Sequence, residues 1–220
     1  GKKAPSGSVE MDLWPDYMGR FLKAAGLDNI TTTTPGGATT ARQHAFLLGT
    51  TAQLASLSAQ IKRSAAVATN LRGVVIDKLT IKAVAGEVVS FMVDFLAKDE
   101  APAGGIWDAD ARASAAVIAT PTYIGATLVP FRFFNAALVV GGTPARVSNV
   151  YTLTGGTTLA LAESIEISIA NNLDAPHFLT PDPTPGKIVG QNLDITVKMD
   201  IDVSTIDSTF YDYARNGAEV

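Results

Sequence analysis

Alternation of apolar and polar side chains is the strongest signal in the chain, and it is clearest near the C-terminal end. The stretch SIEISIANNLDAPHFLTPDPTPGKIVGQNLDITVKMDIDV, Ser164 to Val203, holds two alternating runs around a proline-rich loop. Ile165, Ile167 and Ile169 share one face of the first run, with Glu166 and Ser168 on the other. In the second, Leu193, Ile195, Val197, Met199, Ile201 and Val203 face one way, and Asp194, Thr196, Lys198, Asp200 and Asp202 the other. A period of two is the signature of a strand with one buried side. About 11 residues of it is long for a strand.

The same period recurs upstream. Val9, Met11 and Leu13 alternate with Ser8, Glu10 and Asp12. HAFLL and LASLSAQIK follow as strand-like runs. VVIDKLTIKAVAGEVVSFMVDFLA predicts a hairpin turning at Ala85-Gly86. Its first arm groups Val75, Leu79, Ile81 and Ala83, and its second Val89, Phe91, Val93 and Phe95. TLVPFRFFNAALVVGG resumes strand character, and TLTGGTTLAL breaks at another Gly-Gly. The period shifts to the helical one in WPDYMGRFLKAAGL. There Trp14, Met18, Phe21, Leu22 and Ala25 form one face, Pro15 suits the first helical position, and Gly26-Leu27 makes a stop. This predicts a helix over about 15–25. A shorter helix is expected from Ile206, Phe210 and Tyr213 near the C-terminal end.

Between these runs lie segments without periodicity: an arm at 1–8, a threonine-rich loop at 29–43, an Ala/Asp/Gly-rich insertion at 98–120, and the loop at 174–187. About eight to ten strands and one firm helix predict a mainly β fold, an antiparallel barrel or sandwich with a flanking α-helix. The whole chain, 1–220, reads as a single domain, a length that suits one ordinary domain with long arms and loops.

Composition narrows the function. No cysteine is present, which excludes disulfides, thiol nucleophiles and cysteine-based zinc sites. No apolar run approaches the roughly 18–20 residues of a membrane span, so no membrane insertion is expected. The opening GKKAPSGSVEMD carries two lysines with no apolar stretch behind them, so no secretory leader is expected there. Residues 1–190 hold 15 basic and 15 acidic side chains, whereas 191–220 hold 2 basic and 6 acidic. The net charge of −4 therefore sits entirely at the C-terminal end. No basic stripe exists to grip a duplex, though a surface that touches DNA without holding it fits the balance.

Chemistry is sparse. His44 and His177 are the only histidines. Asp174, His177 and Asp182 could in principle ligate a metal, but an exposed histidine between turn-forming aspartates is the better reading, and no metal or other cofactor is expected. Glu163 and Glu166 point to opposite faces of a strand and make no glycosidase pair. Asp200 and Asp202 share a face, better read as solvated or pore-lining than as a cation site. The Gly-Gly pairs match no phosphate-binding loop. Trp14 reads as core, while Trp107 suits either packing or stacking. No catalytic residue can be named, and a hydrolase is poorly supported.

The order of elements resembles the tail tube (major tail) proteins of bacteriophages with long, non-contractile tails. The resemblance rests on EMDLWPDYMGRFLKAAG, the hairpin VVIDKLTIKAVAGEVVSFMVDFLA, PFRFFNAALVVGG, and SIEISIANNL with its loop, Gly190 and the final strand. It spans about residues 8–213, and 98–120 departs from it as extra length. It implies a non-enzymatic virion protein, made in the host cytoplasm. It implies homo-hexameric rings, joined by strand edges, that stack into a tube for transient, non-specific DNA passage. Partners implied are further copies of the chain and the tape-measure, terminator and distal tail proteins. On this reading the apolar face of Leu193–Val203 packs on the core. Asp194, Thr196, Lys198, Asp200 and Asp202 line the lumen. Lys2, Lys3, Thr32, Thr33, Arg42, His177 and Phe178 make contacts between rings or subunits. A secretion-type tube, a distal tail ring and a monomeric ligand-binding β-barrel remain as alternatives.

Overall fold

The computed structural model describes residues 4–34, 42–49, 53–62, 68–102, 129–135, 139–140, 142–147, 150–158, 162–179 and 184–202. The chain runs β1 (Ser6–Asp12), α1 (Pro15–Ala24), β2 (Asn29–Thr33), β3 (Gln43–Leu47), β4 (Leu57–Lys62), β5 (Ala68–Val84), β6 (Ser90–Leu96) and β7 (Asp99–Pro102). A 3-10 turn at Phe133–Asn135 follows. The chain then forms β8 (Val139–Val140), β9 (Thr143–Val147), β10 (Val150–Thr154), β11 (Thr157–Thr158), β12 (Ala162–Ala170) and β13 (Asp194–Ile201). The fold is mainly β and antiparallel, as the alternation predicts, and it is sandwich-like rather than a closed barrel. Its central path is β1-β6-β5-β12-β13. The N-terminal part of β5 also pairs with β4 and β7, and β2-β3, β9-β10 and β8-β11 form separate two-stranded sheets.

The core forms where the apolar face of this path meets α1. Leu79 and Phe91 are 0 % exposed, and Phe21 of α1 lies on Phe91 at 5.6 Å between ring centroids. Met18 and Leu22 pack on the same cluster. The helix starts with Pro15 in its first turn and ends in a Schellman arrangement, Leu27 N–H to the Leu22 carbonyl and Gly26 N–H to that of Lys23. Gly26 takes φ +99°, which a side chain would oppose. Trp14 stands at the N-cap, half-buried, and not in the core as its spacing suggested.

Several sequence expectations are corrected. The arm is shorter than 1–8, because Ser6, Gly7 and Ser8 already belong to β1 and face Leu96, Phe95 and Asp94. A Cβ on Gly7 would stand 2.7 Å from the Phe95 ring, so glycine is what lets the edge strand close over that aromatic. The threonine-rich stretch 29–43 is not a loop throughout: Asn29–Thr33 and Gln43–Leu47 pair as a hairpin, with 35–41 outside the described residues. In 98–120, Asp99–Pro102 pairs with β5, and 103–120 lies outside the described residues. LASLSAQIK becomes a strand only from Leu57. TLVPFRFFNAALVVGG is a strand over its described part only at Val139–Val140, and not over 129–135. Phe131 donates to the Leu13 carbonyl and accepts from Val89 N–H, and Phe133 N–H bonds the Glu87 carbonyl, so Arg132 makes only a single antiparallel bridge to Val88 before the 3-10 turn at Phe133–Asn135. The helix expected over Ile206–Tyr213 lies outside the described residues.

One further correction explains the architecture. Val75 does not share a face with Leu79. A bulge at Asp77 shifts the register between Ile76 and Lys78, so Ile76 opposes Phe95 and joins the apolar face, while Val75 opposes Leu96. The bulge is held from outside the strand. Asn171 N–H donates to the Asp77 carbonyl at 2.7 Å, and Leu173 N–H to Asp77 Oδ1 at 2.8 Å. Asn171, 4 % exposed, sends its Nδ2 to the carbonyls of Ile76 and Ala25, and its own carbonyl accepts from Gln191 N–H. Asn172, at φ +48°, turns the chain and bonds the Asn192 carbonyl and Asp194 Oδ2.

Replacing Asn171 with alanine leaves two buried carbonyls without their donor and should cost about 2–4 kcal/mol. Asn172→Gly, which keeps the left-handed backbone and removes only exposed bonds, should cost less than about 1 kcal/mol. Urea unfolding midpoints at unchanged slope check both.

Candidate assembly interface

Over Lys78–Val84 of β5, beyond the bulge, the register across the five strands sorts side chains into two faces. One row of the apolar face runs Val9, Val93, Leu79, Ile169, Ile195, and the next runs Met11, Phe91, Ile81, Ile167, Val197. Ala83, Ile165 and Met199 continue it. Exposure along the first row is 40 %, 3 %, 0 %, 7 % and 54 %. The middle is sealed by α1, and the ends are open. Val197 and Met199 are likewise 51 % and 41 % exposed. The expectation that the apolar face of Leu193–Val203 packs on the core is therefore overturned over Leu193–Met199: among the described residues β13 is an edge strand beyond the reach of α1. Val203 lies outside the described residues.

The polar face is mostly charged. Its rows are Ser8, Asp94, Lys78, Ala170, Asp194; Glu10, Met92, Thr80, Ser168, Thr196; and Asp12, Ser90, Lys82, Glu166, Lys198, with Ser164 and Asp200 beyond. Six carboxylates (10, 12, 94, 166, 194, 200) stand against three ammonium groups (78, 82, 198). Asp194, Thr196, Lys198 and Asp200 are thus brought onto one face, all exposed, and Asp202 follows just past the strand, also exposed. Lys198 Nζ lies 3.4 Å from Glu166 Oε1, and the Ser164 hydroxyl donates to Asp200 Oδ2. At such exposure the ion pair contributes little to stability.

A cavity of about 380 Å³ opens beside β1, between α1, β4 and the apolar face. Val9, Met11, Phe21, Ile61, Val93 and Phe95 line it, and Arg20 and Tyr17 stand among its walls. The Tyr17 hydroxyl donates to the Asp12 carbonyl. Burial pushes this phenol upward, a backbone hydrogen bond at Trp14 lowers it, and the Asp12 charge raises it.

The other expected contact residues fall in two places. Thr32 and Thr33 are in β2, and Arg42 just precedes β3. Thr32 Oγ1 bonds His44 Nδ1 at 3.0 Å, and Arg42 donates to Thr34 Oγ1 at 3.0 Å. His177 and Phe178 lie in a loop closed at its base by Asp174 and Val189, which exchange two backbone bonds of 2.9 Å. Phe178 is 57 % exposed, and its ring lies against Gly186. Lys2, Lys3 and Asp182 lie outside the described residues. Sequence reading overlooked Leu179, which is fully exposed next to Phe178, and Phe134, exposed because three aromatics in FRFF cannot all turn to one side. Among the described residues no three metal-ligating side chains gather.

Val197→Lys should leave the unfolding free energy of the monomer within about 0.5 kcal/mol of wild type. Phe91→Ala, on the same row, should cost about 3–5 kcal/mol. Denaturant unfolding of dilute protein separates the two.

No individual curated protein matches the sequence. The family model described as phage tail tube protein matches residues 1–220. With a two-edged sheet, one face acidic and the other half-covered, the chain belongs to the phage tail tube protein family.

Proposed function

We propose that this protein is the wall subunit of a phage tail tube. Six copies join by sheet edges into a ring, rings stack, and the polar face of the five-stranded sheet lines the bore through which DNA passes. The observation that carries this reading is the open apolar face of β13 on an edge strand, a combination that soluble monomers avoid. β13 and β1 carry no proline, and Lys198 is the only lysine on either.

Magnitudes support assembly by edges and not by apolar contact alone. Ile195, Val197 and Met199, each about half exposed, retain on the order of 1 kcal/mol of unrealised burial apiece. Their sum is below the roughly 4–15 kcal/mol that association costs. Backbone pairing along β1 and β13 has to add to it. Five strands at ~4.8 Å give an arc of ~24 Å per copy, so six copies form a wall ~46 Å across at the backbone before strand tilt widens it. That leaves room for a duplex inside the side chains. A bore with twice as many carboxylates as ammonium groups repels phosphate, so DNA slides without being held.

Contacts between rings fall, on this reading, to the arm with Lys2 and Lys3, the β2-β3 hairpin with Thr32, Thr33 and Arg42, and the loop with His177, Phe178 and Leu179. Tape-measure, terminator and distal tail proteins would meet the ends of the tube. The cavity beside β1 favours a second reading, a monomeric barrel holding an apolar ligand.

Negative-stain microscopy over a concentration series should show hollow rings or tubes. In assembled tubes, a cysteine at Thr196 should react with a small maleimide and be shielded from a protein-sized one, while both react in monomers. Equal reaction of both reagents in tubes would place the polar face on the outer wall. A monomer at every concentration, carrying a bound apolar molecule, would favour the ligand-binding reading.

A further inference from the structure

We infer that neighbouring copies join by a parallel pairing of β13 of one copy with β1 of the next, and that Ile195, Val197 and Met199 of the arriving strand seat over the cavity beside β1. The inference rests on the tube reading and adds to it which edges meet, in which direction, and what the cavity is for.

Direction follows from strand count. All four pairings along β1-β6-β5-β12-β13 are antiparallel, so the first and fifth strands run the same way. Rotation about a ring axis preserves that direction. A copy offering its β13 edge to the β1 edge of its neighbour therefore meets it parallel. Within one chain, parallel neighbours need a long crossover. Between chains no connection is needed, so the constraint vanishes.

Three features fit these two edges to each other. Their lengths match, 7 residues in β1 and 8 in β13. Their faces match: joined in this way, Val9 and Met11 stand beside Ile195, Val197 and Met199, and the polar faces run on into each other. One charge contact also fits: Lys198 is the one base on β13, and the polar side of β1 carries the carboxylates Glu10 and Asp12, although Asp194 and Asp200 of β13 add like charge beside them. The cavity lies where the apolar side chains of the arriving strand would come to rest, because Val9 and Met11 are both wall of the cavity and edge of the sheet. The open apolar end of one copy thus finds its cover under α1 and β4 of the next.

The chain lacks cysteine, so introduced pairs report without background. β1 and β13 are four strand spacings apart in one copy, about 19 Å, beyond the roughly 7 Å reach of a disulfide. Any bond between them is intermolecular. Ser8→Cys would be combined in turn with cysteine at Asp194, Thr196, Lys198 and Asp200, and the set repeated with Glu10→Cys. Tubes would be oxidised and run on non-reducing gels. The expected result is a ladder of covalent multimers, with the best partner moving two residues toward the C-terminus when the β1 cysteine moves from 8 to 10. Movement toward the N-terminus would overturn the parallel junction. Tubes without a ladder from any pair would overturn the junction and leave the tube reading standing. Wild-type protein that never forms tubes would remove that reading itself. Covalent dimers from a single cysteine in β13 would mean a two-fold pairing in place of a ring contact. As a second measurement, Lys198→Glu should raise the concentration needed for tubes about tenfold, and Glu10→Lys with Asp12→Lys should restore it. No effect of Lys198→Glu would count against the charge match and overturn the proposed pairing.

Discussion

The buried amide of Asn171 is the constraint on which the rest of the sheet depends. Its side chain holds the carbonyl of Ala25, at the end of α1, and that of Ile76, beside the bulge of β5. Its backbone holds Asp77 on one side and Gln191 on the other. Three segments distant in sequence, at Ala25, Ile76–Asp77 and Gln191, are fixed by one residue. Because a one-residue change of register exchanges the faces of a strand, the bulge decides that Ile76 and Leu79 both turn toward α1. It also sets where β13 begins, since Asn172 turns the chain and ties Asn192 and Asp194 in place. The helix, the two faces of the sheet and the exposed edge strand are consequences of the same small hydrogen-bonded node.

A second consequence is geometric. The apolar face spans five strands, roughly 20 Å from β1 to β13, whereas a single helix is about 10 Å wide. One helix of 10 residues cannot cover that face. It seals the strands nearest its axis and leaves both ends partly open, as the exposures of Val9 and Ile195 record. Here the uncovered remainder lies at the two edges, where another copy can reach it.

How much of this is legible in the sequence depends on whether the deciding signal is local. The helix is readable because Pro15 and the apolar spacing of Met18, Phe21 and Leu22 lie within it and Gly26 stands just past its end. β6 was readable because its alternation is unbroken. Val75 was misplaced because the bulge that displaces it is fixed by Leu173, 96 residues away. The strand from Ser6 was missed because small residues carry no pattern, and its pairing is set by the Phe95 ring that Gly7 accommodates. The β2-β3 hairpin was hidden because threonine suits strands without marking a buried side. The aromatic run at 131–134 mimicked a strand, although its backbone bonds point to Leu13, Val89 and Glu87. For β13, alternation settled which residues share a face. It could not settle whether anything covers that face, since cover depends on strand order and on the reach of α1.

On the proposed reading the two faces impose opposite demands that a closed arrangement would meet. An edge strand with an apolar face invites unlimited addition of further strands. A two-fold contact between identical edges would satisfy one edge of each copy and leave the other edge of each exposed. A head-to-tail contact uses both edges of every copy, and it ends in a ring whenever the rotation per copy divides the circle. Curvature comes from the sheet itself, through its twist and the bulge at Asp77. In the proposed ring the helix side, bulkier and apolar beneath, would lie outward, and the charged face would lie inward. The excess of carboxylates on that inner face costs some repulsion between copies, softened by the alternation of Lys82, Glu166 and Lys198 along one row. On the proposed reading, backbone pairing and apolar cover would hold the wall, and its net negative lining would have no affinity for a passing polyanion.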